Sequence, residues 1–157
     1  GACMSPHTAF LVLQGMETLN LRMERHIKNT RDIVSFLSSH KSVKSVCYPE
    51  LENHPDHELS KELLPNGCGA VFTFEIEGNI ETGKKFIEQL NLFSHLANVG
   101  DAKSLVIHPA STTHHRMNAE DLKKAGISES TIRLSIGIED SKDLIEDLDE
   151  ALTYSTK

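Results

Sequence analysis

What this chain has little of narrows the field first. Basic residues are outnumbered, with 16 Lys and Arg against 23 Asp and Glu and a formal charge of −7. A nucleic-acid partner needs the opposite balance, because neutralising phosphates takes a surplus of Lys and Arg, so none is expected. No apolar run approaches the roughly 20 residues that cross a bilayer, so no membrane span is expected either. The apolar stretch at 10–13 is too short for a signal peptide and no cleavage pattern follows it. Cys3, Cys47 and Cys68 are odd in number and widely spaced. They make a poor disulfide frame and fit the reduced thiols of a cytoplasmic protein. Nine histidines invite a metal site, and His54 and His57 have usable spacing. Pro55 nevertheless breaks any helix that would align the pair, and no Cys or carboxylate completes a ligand pattern, so no metal is expected. There is no internal repeat and no low-complexity linker.

What is present reads as one folded unit. A chain of 157 residues can bury one good core. Ser5-Pro6 is a helix start, with a hydroxyl cap and Pro at the first helical position. The helical pattern runs to about residue 39, longer than an ordinary globular helix, so a bend or break is expected near Gly15 or at 18–20. Residues 43–48 read as a short strand and 49–65 as an exposed loop with one helical turn. Residues 70–76 alternate, with Ala70, Phe72, Phe74 and Ile76 on one face, as a half-buried strand does. An amphipathic helix follows at 81–90, then short strands at 93–99 and 105–107. Asn118 reads as a helix cap and Gly126 as that helix's end. Ile132, Leu134, Ile136 and Ile138 alternate with small or polar residues in a further strand. Asp140 and Asp143 open a last helix whose buried face is Leu144, Ile145, Leu148, Ala151 and Leu152. The class is α+β: an antiparallel sheet of about four or five strands with helices on one face.

The densest chemistry lies at 94–114. A turn at 98–101, with Gly100 and Asp101, leads into a polar step containing Ser104, then an apolar run closed by His108-Pro109. Ser111, Thr112, Thr113, His114 and His115 follow. Arg133 sits mid-strand between Ile132 and Leu134, on a face it shares with Ser135 and Gly137. On residue type alone Arg133 reads as solvent-facing and Ser104 as a turn former.

Three ordered motifs make the chain resemble a known family. S-P-H-T-A-F with L-Q-G-M-E-T-L and L-R-M-E-R-H, then N-V-G-D-A-K-S-L-V-I-H-P-A-S-T-T-H, then I-R-L-S-I-G-I-E-D are together similar to the C-terminal domain of the Cys/Met-metabolism family of pyridoxal-phosphate (PLP) enzymes, of fold type I. The N-V-G-D wording resembles the O-acetylhomoserine sulfhydrylase branch, where cystathionine lyases and synthases usually read S-L-G-G. The resemblance implies a linking helix at 1–40 from a PLP domain and a substrate-closing α+β domain at 41–157. It implies a cytoplasmic homotetramer that uses PLP to replace the acetate of O-acetyl-L-homoserine with sulfide or a thiol, on the way to methionine. Methionine γ-lyase shares most of these motifs and stays open. By the same resemblance Arg133 binds the substrate α-carboxylate, Ser104 approaches it, and the cluster at 111–115 faces the mouth of the site.

The family holds its cofactor on a Lys that follows a Ser-x-Thr step, and no Ser-x-Thr-Lys occurs here. With Gly1-Ala2-Cys3 at its start, the chain reads as a fragment with no catalytic residue of its own, bound to no PLP and inactive alone. A stand-alone amino-acid-binding regulatory module is the rival of another class. Against it stands the apolar surface of the first helix, which exceeds what one small sheet can cover.

Overall fold

The computed structural model describes residues 2–114, 116–117 and 119–156. The expected cap Asn118 and His115 of the polar cluster lie outside the described residues.

Two helices open the chain. In α1 (Pro6–Glu17) the Ser5 hydroxyl accepts the Thr8 N–H and Pro6 takes the first helical position. The expected break falls at Thr18, which ends α1 and begins α2 (Leu19–Ser39). Arg22 holds it, donating to the Thr18 hydroxyl and, at 2.8 Å, to the carbonyl of Gly15 that the break leaves without a helical partner. Not one residue of α1 is buried; Phe10, Leu11, Leu13 and Met16 all stand in solvent. α2 buries Ile27, Ile33, Val34 and Leu37 along one stripe.

The remaining order is β1 (Val43–Cys47), α3 (His57–Leu63), β2 (Val71–Ile76), α4 (Ile80–Gln89), β3 (Ser94–His95), β4 (Leu105–Ile107), a short 3-10 turn (Pro109–Ser111), α5 (Ala119–Lys124), β5 (Thr131–Ser135) and α6 (Ser141–Ser155). The five strands form one sheet in the order β1-β2-β5-β4-β3. Neighbours are antiparallel from β1 to β4, and the outer pair β3–β4 runs parallel. Helices α2, α4 and α6 cover one face, meeting Phe72, Phe74 and Ile76 of β2 and Ile132, Leu134 and Ile136 on and after β5. Phe74 and Phe86 pack edge to face at 5.8 Å. From α6 come Leu144, Leu148, Ala151 and Leu152, each fully buried.

The sheet was expected to be antiparallel throughout, and its outer β3–β4 pair is not; two further elements differ from the expectation. The loop at 49–65 contains α3 rather than a single turn; Pro49 O accepts the Ser60 hydroxyl (3.2 Å) and faces His57 Nδ1 (3.1 Å), tying the helix down. Strand β3 is only two residues long, where 93–99 was expected. The chain leaves the ladder because the Asn98 and Asp101 side chains accept from the Val99 and Lys103 N–H groups (2.9 and 3.1 Å) and turn it. No helix among the described residues is long and apolar enough to cross a membrane.

Candidate functional site

The sheet face away from the three helices carries the rows Thr73–Arg133–Ile107 and Val71–Ser135–Leu105, set by the β2–β5 and β4–β5 registers. A sheet covered on one side would leave this face open, yet Leu105, Ile107 and Ser135 are buried. Leu105-Val106-Ile107 does not alternate, as befits a strand buried on both faces. Arg133 is half-buried in this row. None of the ion pairs or side-chain hydrogen bonds among the described residues involves it. Glu75, on the same face of β2, is paired instead with Lys44 at 3.3 Å. A planar fork of five N–H donors thus stands without an acceptor among the described residues, although acids outnumber bases in the chain, a setting that suits an incoming carboxylate.

Ser104 is fully buried and its hydroxyl is engaged on both sides. It donates to Glu139 Oε2 (2.9 Å) and accepts the Gly137 N–H (2.8 Å), while the Ser104 N–H donates to Glu139 Oε1 (2.7 Å). From the other side α2 grips the same turn: Asn29 Nδ2 donates to the carbonyls of Gly137 (3.1 Å) and Glu139 (2.8 Å), and His26 Nδ1 meets Ile136 O at 2.6 Å. Sequence reasoning missed Glu139, Asn29 and His26. The available signal was Glu139 itself, a carboxylate just past a strand and ahead of a helix cap, where acids ordinarily answer the helix dipole. Two buried oxygens among the described residues find no partner, Asn29 Oδ1 beside this turn and Ser135 Oγ.

The described part of the polar cluster bonds to itself and to His108. His108 Nδ1 meets the Ser111 hydroxyl (2.8 Å), His108 Nε2 meets Glu129 O (2.7 Å), Thr112 donates to His108 O (2.8 Å), and Thr113 bonds the His114 ring (2.8 Å). His108 is buried, with Gly83 of α4 against its ring; a Cβ at Gly83 would lie 2.7 Å from Nε2. Since Nε2 faces a carbonyl it carries the proton, and Nδ1 accepts from Ser111. Burial pushes the His108 pKa below its ordinary value of 6.5, although the Glu129 carbonyl pulls the other way. The unfolded chain therefore binds more protons than the folded one as pH drops below about 6.5. Stability from this group is present above that pH and lost as pH falls through the folded value. Urea unfolding at pH 7.5 and 5.5 is expected to show a larger acid loss in the native chain than in His108→Asn; equal losses would exclude His108 as the source.

Four clefts among the described residues have no Arg133 in their lining. One of about 320 Å³ is lined by Arg31, Glu50, His57, Lys61 and Cys68 among others. Two of its charges answer each other: Arg31 makes two bonds to Glu50 (2.6 and 3.1 Å), which also accepts the Cys68 N–H (3.0 Å) and the Tyr48 hydroxyl (3.3 Å). Burial alone would raise the Glu50 pKa, and these donors hold it below the usual carboxylate range. Cys3, Cys47 and Cys68 are free thiols, and no group of three or more metal-ligating side chains gathers among the described residues.

A family model described as "Cys/Met metabolism PLP-dependent enzyme" matches residues 1–153. This chain belongs to that family. Its relatives include an O-acetyl-L-homoserine sulfhydrylase from Thermus thermophilus, 46% identical over 97% of this chain and 36% of that protein. An L-methionine gamma-lyase from Fusobacterium nucleatum is 41% identical over 97% of this chain and 38% of that protein. A solved structure of a putative O-acetylhomoserine (thiol)-lyase from Campylobacter jejuni superposes with a TM-score of 0.89 at 45% identity, covering 98% of this chain and 36% of that one. The chain thus spans little more than a third of the length of these relatives. The family depends on PLP, and the Campylobacter structure contains it joined to a lysine. The residues described here do not fit that covalent seat. Every lysine whose side chain is described lies exposed on the surface, whereas a lysine that reacts with a carbonyl needs a setting that lowers its pKa, such as burial.

Proposed function

We propose that this chain is the C-terminal, substrate-closing part of a PLP-dependent O-acetylhomoserine sulfhydrylase, and that Arg133 receives the α-carboxylate of O-acetyl-L-homoserine. The observation that carries this reading is the half-buried guanidinium with no protein acceptor among the described residues. Replacement of acetate by sulfide or a thiol is chemistry of a cofactor held elsewhere in the enzyme. The residues of this chain bind and orient: Arg133 fixes one end of the substrate so that its γ-carbon meets the reacting centre at one distance and angle. Ser104 belongs to the same subsite, acting through the turn it anchors, because its hydroxyl proton goes to Glu139.

Residues 1–40 are the link toward the enzyme's own PLP domain and 41–157 the closing domain. In this division α1 supplies the docking surface, with no buried residue of its own, while α2 is shared, its second half lying in the core. A homotetramer in the cytoplasm completes the reading. The chain alone has no catalytic residue, binds no PLP and is inactive. Methionine γ-lyase is the second reading, favoured by relatives of that kind and by an α-carboxylate common to both substrates. A stand-alone amino-acid sensor is disfavoured, since in the cleft beside Arg31 the guanidinium and the Glu50 carboxylate already hold each other.

Two measurements test this. The intact enzyme is expected to release acetate from O-acetyl-L-homoserine with sulfide faster than it forms a 2-oxo acid from methionine; the reverse order would make it a γ-lyase. The chain alone, mixed with PLP and borohydride, is expected to give only scattered labelling of surface lysines. A stoichiometric adduct at one lysine would defeat the assignment of the cofactor to another domain.

A further inference from the structure

Glu139 joins two segments that lie far apart in the sequence. Its carboxylate receives both donors of Ser104, Oε1 the N–H at 2.7 Å and Oε2 the hydroxyl at 2.9 Å. The Ser104 oxygen in turn accepts the Gly137 N–H at 2.8 Å, and the Ile138 N–H reaches Ala102 O at 3.0 Å. The result is a closed ring of bonds between the turn before β4 and the turn after β5. Asn29 pins the second of these turns to α2 through the Gly137 and Glu139 carbonyls.

The ring specifies a carboxylate. Two donors converge on two oxygens, and an ionised carboxyl offers acceptors only. A glutamine has one oxygen and one N–H₂ group. Set toward the Ser104 N–H, that group opposes donor to donor. Set toward the hydroxyl, it forces the hydroxyl to turn and leaves its proton without an acceptor. The ring also sits at a useful place. Arg133 lies four residues before Gly137 on the same run of chain, roughly 13 Å at strand rise. The turn at 98–104 therefore borders the end of the strand that carries the guanidinium.

We infer that Glu139 is a positioning residue for the substrate site: it fixes the 98–104 turn against the Arg133 strand and so sets the rim that closes over the bound amino acid. This rests on the reading of Arg133 given above.

The test is made in the intact enzyme with Glu139→Gln, Ser104→Ala, their double variant and, in parallel, Arg133→Lys. KM and kcat for the amino-acid donor, PLP affinity and Tm are measured. Glu139→Gln and Ser104→Ala are each expected to raise KM about tenfold, since a bond to a charged group is lost from the rim, with PLP affinity unchanged. The double variant is expected to be no worse than the poorer single one, because both remove the same ring. A Glu139→Gln enzyme with lower Tm but native KM at 25 °C would overturn the inference and leave Arg133 untouched. Additive effects in the double variant would overturn it too. If Glu139→Gln does not fold, Ser104→Ala decides alone, by the same KM criterion. Native kcat/KM in Arg133→Lys would remove the reading beneath the inference, whatever Glu139→Gln shows.

Discussion

In the intact enzyme, Arg133→Ala is expected to lower kcat/KM for the amino-acid donor by about 30- to 1000-fold, equivalent to roughly 2–4 kcal/mol. The size follows from the geometry. A charge-assisted, two-pronged bond to a carboxylate is the strong kind of hydrogen bond, and a half-buried site screens it less than water does. The positions that flank Arg133 in its row, Thr73 and Ile107, carry no charge, and the Lys44 ammonium on this face is taken up by Glu75 at 3.3 Å. Arg133→Lys keeps the charge and loses the fork, so it too is expected to fall well short of the native enzyme. The loss should appear with every amino-acid donor tested, because all share the α-carboxylate. PLP affinity should hold. Steady-state kinetics with two donors, together with a PLP titration, check this. Native kcat/KM, or a variant that fails chiefly by shedding PLP, would show that Arg133 has been given the wrong role.

Gly137→Ala is expected to destabilise the chain by about 3 kcal/mol. A Cβ there would lie 2.6 Å from the carbonyl carbon of Lys103 and would also overlap Ala102 O and Glu139 Oε2. A carboxylate can swing aside; two backbone atoms of a neighbouring segment cannot. Relief requires the turns to part. That strains the bond from Ile138 N–H to Ala102 O (3.0 Å) and the bond from Gly137 N–H to Ser104 Oγ (2.8 Å). Urea unfolding reads the loss directly, and for a domain of this size it corresponds to a fall in Tm of roughly 6–12 °C. A change within 0.5 kcal/mol would mean that the turns separate freely and that the ring around Glu139 carries little strain.

Much of the fold was legible because burial and backbone period coincide. Phe72, Phe74 and Ile76 alternate on β2, and Leu144, Leu148, Ala151 and Leu152 mark one face of α6; in both, the buried side chains are those the period picks out. The break at Thr18 was legible from helix length, though not its cause, since the bond from Arg22 back to Gly15 spans seven residues and leaves no periodic trace. β3 was drawn too long because apolar content was taken for ladder pairing, where Asn98 and Asp101 instead bond their own backbone. The parallel β3–β4 pairing was illegible for another reason: strand direction is a property of the connection, and the turn between these strands doubles back through side-chain bonds. The place of Arg133 on β5, opposite Thr73 and between the inward-facing Ile132 and Leu134, was legible from the alternation. The Glu139 ring was not, because it closes across 35 residues and each member taken alone looks like an ordinary turn residue.

The bare surface of α1 has a thermodynamic consequence. A helix of 12 residues that buries none of them has little beyond its own hydrogen bonds, its Ser5 cap and the Arg22 bond to Gly15 O to oppose the loss of chain entropy. At that length the balance in water is close to even. The cooperative unit that melts with the sheet is therefore expected to begin with α2, and the amides of α1 to exchange far faster than those of Ile33 or Leu37. A surface that covered Phe10, Leu13 and Met16 would order it, and association with such a surface would carry a folding step inside it. Its affinity is then lower than the apolar area alone would give, by the entropy of ordering one short helix.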